Sequence, residues 1–293
     1  MRTSRGYLAV YLTVLIWGST FLVTKLVLGQ IGPLQLTGLR FLIAFMGLAP
    51  LAARQGFRWI DVFRPRYIAF GLTGTTLYYA FQNVGMTLTS VSSTVLILSI
   101  VPALTAVLAL FFLNEKLDHI QLLGIGLVTV GVILIALGSG DGRAGASVVL
   151  GNLMIFGSAL SWAIYTIQGR KMVGDRPALV MTAASTAAGA LLLLPFVVWE
   201  ISRIGLPHLS VSGWLGVLYL GLAASGLTMY LWNYALQTLT ASVASTYINL
   251  VPVVGLTGAF LLGEIPPALQ LAGGALALVG VWLSSRSANH QAN

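Results

Sequence analysis

The stretch VPALTAVLALFFLNE at 101–115 recurs as VPVVGLTGAFLLGE at 251–264, with one residue deleted. Both copies begin with Val-Pro, continue through an apolar run and end on Glu. The match extends in both directions, at offsets of 145 to 150 residues. Equivalent pairs include Trp17 with Trp162, Lys25 with Arg170, Pro50 with Pro195, Asn83 with Asn233, Ser92 with Ser242, and Gln121 with Gln270. The sequence therefore predicts two copies of one structural unit.

Few residues of the chain are charged. Of 293 residues, 8% are Asp, Glu, Lys or Arg, whereas about 25% is usual in soluble domains. Hydrophobic residues make up 57%, and the mean hydropathy is +0.92. A soluble fold of this size could not cover its surface with so few charges. We therefore expect an all-α integral membrane protein with room for about ten helices of about 20 residues each.

The composition also excludes several kinds of site. Cysteine is absent, and His119, His208 and His290 lie far apart in connecting or terminal segments, so neither a disulfide nor a metal site is expected. No P-loop is present, and no Gly-x-Gly-x-x-Gly joins a strand to a helix. We expect no cofactor and no ATP-driven transport by this chain alone.

Ten apolar runs are separated by turn signals such as Gly32-Pro33 and Pro266-Pro267. The predicted spans are 7–28, 34–53, 67–87, 91–112, 120–138, 149–169, 180–198, 213–236, 242–262 and 269–285. Only short polar stretches divide spans three and four and spans eight and nine, so nine or eleven spans stay open. The first run is too long for a signal-peptide core, and we interpret it as a retained membrane helix.

Lysine and arginine are distributed unevenly over the connecting segments. With a cytoplasmic N-terminus, eleven of them fall on the inner side and only two in outer loops. If one span were miscounted, the basic residues would no longer fall mostly on one side of the membrane. The bias therefore favours ten spans with both termini in the cytoplasm. We interpret the net charge of +8 as this orientation signal rather than as a nucleic-acid footprint, and we expect the inner membrane of a bacterium.

Each half holds five spans, so the second copy crosses the membrane in the opposite direction. We assign residues 1–140 to the first five-helix repeat, 149–287 to the inverted second repeat and 288–293 to a polar C-terminal tail. Inverted repeats recur in secondary transporters, whose substrate site lies between the halves near the midplane. Shared ancestry without functional content is the alternative interpretation. We favour transport, because two inverted halves supply two gates that can alternate.

Several motifs resemble one family. They are Trp17-Gly18-Ser19, the stretch from Pro102 to Glu115, its copy from Pro252 to Glu264, and the helix after each copy, with Gly124 and Gly131 or Gly273 and Gly280 as close-packing faces. They resemble the EamA branch of the drug/metabolite transporter superfamily over nearly the whole chain, most closely the YddG-type exporters of aromatic amino acids. The resemblance implies ten helices in two inverted halves and a secondary carrier. Small multidrug-resistance members of the superfamily use a glutamate in the first helix, and the first span here has no acid.

The acidic residues all lie in loops or at span ends: Asp61, Glu115, Asp118, Asp141, Asp175, Glu200 and Glu264. Ionisable groups within a bilayer are costly and usually functional. The absence of carboxylates from the interior of the spans argues against a carboxylate proton relay and favours facilitated diffusion or exchange. Glu115 and Glu264 end equivalent spans and are either interfacial caps or gates.

Two prolines, Pro102 and Pro252, lie in the middles of spans four and nine. Proline lacks a backbone donor and crowds the carbonyl four residues earlier. A membrane helix tolerates such a break where neighbours or a wet cavity satisfy the freed groups. Each proline marks either a static kink or a hinge that rocks between two states.

Polar and aromatic residues recur at matching depths in the two halves. The candidate substrate-binding residues are Trp17, Thr20, Tyr78, Tyr79, Gln82, Asn83, Ser99, Trp162, Tyr165, Tyr230, Asn233, Ser245, Thr246 and Asn249, with Trp232 and Tyr234 beside them in span eight. A single hydroxyl in a membrane helix is often only packing glue, but Gln and Asn within spans need partners, so the cluster predicts a cavity. Amides and hydroxyls can bind a carboxylate and an amine, and Trp and Tyr offer broad apolar faces. A neutral or zwitterionic substrate with an apolar body fits this lining.

Two cations, Lys25 and Arg40, lie near the predicted outer ends of spans one and two. One interpretation is that both side chains snorkel to the outer interface. The other is a site for a carboxylate or phosphate at the outer mouth.

The sequence thus predicts a secondary transporter that exports amino acids, aromatic and other large neutral ones, or related metabolites by alternating access. A broad-specificity drug exporter is the alternative within this class. An integral-membrane enzyme fits poorly, because interior carboxylates, histidines and thiols are missing, and the repeat disfavours a channel-like protein. The expected partners are a small-molecule substrate and the lipid bilayer, without nucleic acid. A unit that contains both halves need not dimerise.

Overall fold

The computed structural model describes residues 2–114, 119–138, 146–251, 254, 263 and 265–291. Within these ranges the regular secondary structure is helical, which confirms the predicted all-α class for them. The α-helices are α1 (Arg2–Leu28), α2 (Pro33–Ala53), α3 (Trp59–Val62), α4 (Pro65–Gly71), α5 (Tyr78–Leu88), α6 (Val91–Leu98), α7 (Val101–Phe112), α8 (His119–Gly138), α9 (Ala146–Lys171), α10 (Ala178–Ile204), α11 (Val211–Leu218), α12 (Thr228–Leu236), α13 (Ala241–Thr246) and α14 (Ala268–Gln291). Two π-helical segments, π1 (Leu72–Leu77) and π2 (Tyr219–Leu227), join α4 to α5 and α11 to α12, and a 3-10 turn (Tyr247–Leu250) follows α13.

In the part of the chain that the structure describes, six helical stretches are long and apolar enough to cross a membrane. They are Ser4–Leu28, Pro33–Ala53, Val91–Phe112, Ala146–Lys171, Ala178–Ile204 and Val211–Leu236. Each exceeds the length of about 20 residues that a bilayer core requires. The expectation of a multi-pass membrane protein from composition therefore agrees with the helices that form.

Equivalent residues of the two halves make equivalent hydrogen bonds. Asn83 Nδ2 donates to Thr37 Oγ1 at 2.8 Å, and Asn233 Nδ2 donates to Thr182 Oγ1 at 2.8 Å. Each bond ties the third long helix of one half to the second long helix of the same half. The repeat seen in the sequence is therefore also a repeat of side-chain contacts.

The ends of α5 and α12 are capped by equivalent cations. Lys25 Nζ donates to the carbonyl of Met86 at 2.9 Å, and Arg170 Nη1 donates to the carbonyl of Leu236 at 3.0 Å. The last carbonyls of a helix have no partner within it, and basic side chains commonly satisfy them. Lys25 therefore caps a helix, a role that neither interpretation from the sequence included.

Each of the two π-helical segments contacts helices of the other half. The segment π1 packs on α9 and α10, whereas π2 packs on α1 and α2. Glycines permit this approach, since a Cβ on Gly71 would overlap the Ser185 carbonyl oxygen and one on Gly221 would lie 2.7 Å from Ile43. Each third helix thus packs closely on the second helix of the other half.

The fourth span is broken beside its proline. Helix α6 ends at Leu98, and α7 begins at Val101 with Pro102 in its first turn. A proline is well tolerated there, because the first amides of a helix have no intrahelical partner. The break therefore precedes Pro102, and whether it moves stays a prediction. The equivalent Pro252 lies outside the described residues, as do Glu115 and Glu264.

Helices α8 and α14 pack backbone against backbone through the predicted glycine faces. A Cβ on Gly131 would lie 2.5 Å from the carbonyl oxygen of Gly273, and one on Gly280 would lie 2.5 Å from that of Gly124. Small residues permit this close approach in membranes, where packing rather than the hydrophobic effect drives helix association. The prediction of close-packing faces is confirmed at these positions.

We expect Gly131→Ala to destabilise the fold by about 1–3 kcal/mol, because the added methyl overpacks a backbone contact. Gly126 lies on the same helix, and a methyl group added there would meet nothing within 4 Å, so Gly126→Ala is the matched control. Thermal denaturation of the purified protein in detergent, followed by size-exclusion chromatography, measures the difference. Equal melting temperatures for the two variants would contradict the packing argument.

Buried and exposed ion pairs join two polar connections. Asp61 has a fully buried side chain and pairs with Arg64 and Arg176, each at 3.2 Å. Arg66 pairs with Asp175 at 2.5 Å, and both of these side chains are more than a third exposed. The connection after α2 is therefore held against the connection after α9.

The two aspartates should differ in their effect on stability. Asp61→Asn removes a buried acceptor of several bonds, and we expect a loss of about 1–3 kcal/mol. Asp175→Asn breaks an exposed pair worth less than about 1 kcal/mol. The same melting assay checks this, and a larger loss for D175N than for D61N would refute it.

Candidate functional site

A small cavity lies between the two halves. Its lining comes from Trp17, Thr20, Phe21, Tyr78, Tyr79, Gln82, Leu98, Val101, Trp162, Ile248 and Val251. Six of these are candidate residues from the sequence, and the others are apolar. The cavity offers about 30 Å³ to the centre of a water-sized sphere, which is room for very few water molecules. The candidate site is therefore closed in this conformation.

The cavity wall contains a cluster of aromatic rings. Trp17 and Trp162 are equivalent residues of the two halves, and their rings meet edge to face at 4.9 Å between centroids. Trp232 completes a triangle with them at 5.4 and 5.7 Å, and Tyr78 lies 4.8 Å from Trp162. Such aromatic pairs contribute stability in addition to that gained from burying their surface, and they favour particular ring orientations. The wall can therefore present ring faces and edges to an apolar group.

The indole N–H groups of this cluster are paired unequally. Trp17 Nε1 donates to Thr228 Oγ1 at 2.9 Å. The Nε1 groups of Trp162 and Trp232 are buried without a hydrogen-bond partner among the described residues, and so is the hydroxyl of Ser245. Because Trp162 lines the cavity and is only 2% exposed, its N–H is a donor that a ligand could satisfy.

Other candidate residues lie behind the wall. The Asn233 side chain donates to Tyr165 Oη at 2.7 Å as well as to Thr182, and Asn83 bonds Thr37. These residues connect helices and are absent from the cavity lining. Their part in ligand binding stays a prediction.

The remaining candidates are dispersed. Ser99 Oγ donates to the carbonyl of Leu96 at 2.6 Å, at the break between α6 and α7. Tyr230 lines a separate groove of about 500 Å³ with Arg54 and Leu222, between α2 and the π2–α12 stretch. The side chains of Thr246 and Asn249 lie outside the described part of the chain.

A second groove, also much larger than the closed cavity, runs between α2 and α10. It measures about 460 Å³, and its lining is almost entirely apolar, with Leu39, Leu194 and Trp214 among the contributors. Such a groove suits the acyl chains of a membrane and offers few groups to recognise a polar ligand. It is distinct from the closed cavity between the halves.

The described residues contain no group of three or more His, Cys, Asp or Glu side chains that could hold a metal ion. The described residues that line the cavity also include no charged side chain. Its polar groups are hydroxyl, amide and indole groups. The chemistry that it offers is hydrogen bonding and aromatic contact.

The family model for EamA-like transporters matches residues 4–137 and again residues 149–286. The chain belongs to the EamA-like transporter family. It is a multi-pass membrane protein of a family that transports small molecules, and the resemblance seen in its motifs is confirmed.

Named relatives of this EamA-like transporter span almost its whole length. A "Probable terminal-alkyne amino-acid exporter" of Streptantibioticus cattleyicolor is 30% identical over 98% of this chain and 95% of the relative. A "Probable amino-acid metabolite efflux pump" of Salmonella typhimurium is 30% identical over 97% and 95%. One crystal structure superimposes with a TM-score of 0.72 over 99% of both chains at 21% identity, which establishes a shared fold.

One residue of this EamA-like transporter lies in an unexpected place. Arg40 is only 2% exposed and does not reach the interface, so the snorkelling interpretation is wrong for it. Its Nε donates to Ser225 Oγ at 2.9 Å, and its guanidinium carbon lies 4.3 Å from the centroid of the Tyr79 ring. The sequence could have singled out Arg40, because the repeat places Ser185 at the equivalent position of the second half.

The indole N–H of Trp162 should contribute to transport. We expect Trp162→Phe to slow substrate counterflow in liposomes up to about tenfold, because a hydrogen bond to a ligand is worth roughly 0.5–1.5 kcal/mol. Trp214→Phe, in the wide apolar groove, is the control and should keep the wild-type rate. Equal rates for the two variants would count against a ligand contact at Trp162.

Proposed function

We infer that this protein is a secondary transporter that exports amino acids, aromatic and other large neutral ones, or related small metabolites by alternating access. The observation that carries this proposal is the closed, aromatic cavity between two equivalent halves. Trp17 and Trp162 meet across it, so each half supplies the same ring to one site. Movement of one half against the other would open such a site to one side at a time.

The cavity chemistry supports a neutral or zwitterionic substrate. Aromatic faces accept an apolar side chain. Polar groups could bind to Gln82, to the N–H of Trp162, which has no partner among the described residues, and to Thr20 Oγ1 as an acceptor, since its O–H donates to the Trp17 carbonyl. Two relatives that cover nearly the whole chain carry names that refer to amino-acid export. A large neutral amino acid combines these features in one molecule.

The size of the cavity supports an occluded state in a transport cycle. At about 30 Å³ it is too small for an amino acid. Binding therefore requires helices to separate. The break before Pro102 and the segments π1 and π2 interrupt the regular hydrogen-bond ladder near the cavity, so bending is least costly there. Pro102 and the equivalent Pro252 are the proposed hinges, and Glu115 and Glu264 are proposed caps or gates.

The charge distribution supports transport without proton coupling. Of the described carboxylates, Asp61 and Asp175 lie in ion pairs outside the cavity, and Glu200 accepts from the amides of Leu34 and Gln35 at the start of α2. No described carboxylate lines the cavity to carry a proton. Facilitated diffusion or exchange is therefore the proposed mode, without catalysis.

The proposed arrangement is ten helices in two inverted repeats, 1–140 and 149–287, with a polar tail at 288–293 and both termini in the cytoplasm. The pairs Asp61–Arg176 and Arg66–Asp175 support it, because they join two basic connections that the charge bias assigns to the cytoplasmic side. The proposed location is a bacterial inner membrane. A monomer suffices, since both halves of the cavity belong to one chain.

Counterflow tests the function directly. Liposomes that contain the purified protein and unlabelled phenylalanine should accumulate labelled phenylalanine, and other large neutral amino acids should compete. Protein-free liposomes are the control. Competition by cationic drugs alone, with none by any amino acid, would favour the broad-specificity drug exporter. Uptake that strictly requires a pH gradient would contradict uncoupled transport.

A further inference from the structure

Arg40 is a buried cation within a membrane-spanning helix. It follows Pro33 by seven residues, so at 1.5 Å per residue it lies about 10 Å along the helix from the start of α2. An arginine at such depth is costly and usually marks a functional site. Arg40 is only 2% exposed, so bulk water does not solvate its charge.

The carboxylates of the described residues are engaged elsewhere. Asp61 pairs with Arg64 and Arg176, and Asp175 pairs with Arg66. Glu200 binds the amides at the start of α2. Arg40 therefore has no carboxylate partner in the described part of the chain, and its bond from Nε goes to a neutral hydroxyl.

The second half of the molecule forms the equivalent helix contact without a cation. The position equivalent to Arg40 is Ser185, whose hydroxyl donates to the carbonyl of Thr182 at 3.1 Å within its own helix. The position equivalent to Ser225 is Thr75. The equivalent packing of a second helix on a third helix thus forms with small hydroxyl residues at both places.

The ring of Tyr79 lies between the Arg40 guanidinium and the closed cavity. The guanidinium carbon is 4.3 Å from the centroid of Tyr79, and Tyr79 lines the cavity. A cation against an aromatic face is stabilised where water is excluded. In this conformation Tyr79 both covers the charge and separates it from the space where a substrate would lie.

We propose that Arg40 binds the carboxylate of the transported substrate and that Tyr79 covers the guanidinium until the substrate arrives. This rests on the proposed transport of amino acids. The planar fork of arginine matches a carboxylate in a two-bond geometry. Ser225 holds Nε, so the two terminal nitrogens form the edge that would receive the carboxylate. The amine of a zwitterion would then be bound by the polar and aromatic groups of the cavity.

Binding of four related ligands tests the proposal. L-phenylalanine and 3-phenylpropionate carry the carboxylate, whereas L-phenylalaninamide and phenethylamine lack it. Thermal-shift titration, read by light scattering, gives their relative affinities for the wild type, Arg40→Gln, Arg40→Lys and the control Arg54→Gln. Arg54 is an exposed residue directly after the same helix. Size-exclusion chromatography verifies that each variant is folded.

The wild type and R54Q should bind the carboxylate ligands roughly 30-fold more tightly than the other two, the scale expected for a buried charged pair. In R40Q this preference should fall to near unity. In R40K it should fall about tenfold, because the charge remains and the fork is lost. A carboxylate preference that survives in R40Q overturns the proposal. If R40Q does not fold, an undiminished preference in R40K overturns it.

The outcomes also separate this proposal from the proposed function. A wild type that binds 3-phenylpropionate through Arg40 but no amino acid supports the carboxylate site and contradicts amino-acid transport. A wild type that binds phenylalanine and its amide equally contradicts the carboxylate site and leaves amino-acid transport intact.

Discussion

A backbone amide or carbonyl inside a bilayer has no water to bind, and each unpaired group costs several kcal/mol. The helix ends of this transporter meet this constraint with side chains. Lys25 and Arg170 cap the last carbonyls of equivalent helices, and Ser90 and Thr240 accept from the first amides of equivalent ones. The helices can therefore stop and restart at fixed places, and the cavity lies beside one of the breaks that this allows.

The sequence was sufficient for the all-helical class of the described residues, the repeat and the family. Long apolar runs and their offsets predicted which residues are equivalent, and equivalent bonds formed at Asn83 and Asn233. The sequence was less informative about which helix face meets the cavity. A π-helical segment has more residues per turn than an α-helix, so it rotates every residue that follows. The segment π2 precedes Tyr230, which faces a lateral groove, and composition gives no sign of such a segment.

Contacts between residues distant in the sequence could not be predicted either. Periodicity could place Arg40 within a helix but could not reveal that Ser225 and Tyr79 enclose it, because these contacts cross between helices. The sequence suggested a path lined only by dipoles and aromatic faces. The lining agrees with that, yet a fixed positive charge lies directly behind it. The electrostatics of such a cavity are set partly by a residue that does not touch it.

The difference between Arg40 and Ser185 has a geometric consequence. A site built from two equivalent halves offers a molecule two poses related by a half-turn, and a dipolar molecule would occupy both. Gene duplication within one chain frees each half to diverge, which a dimer of identical subunits cannot do. A single cation on one side makes the two poses unequal in energy. The direction in which a polar molecule lies between the halves is then fixed by the departure from symmetry, not by the symmetry itself.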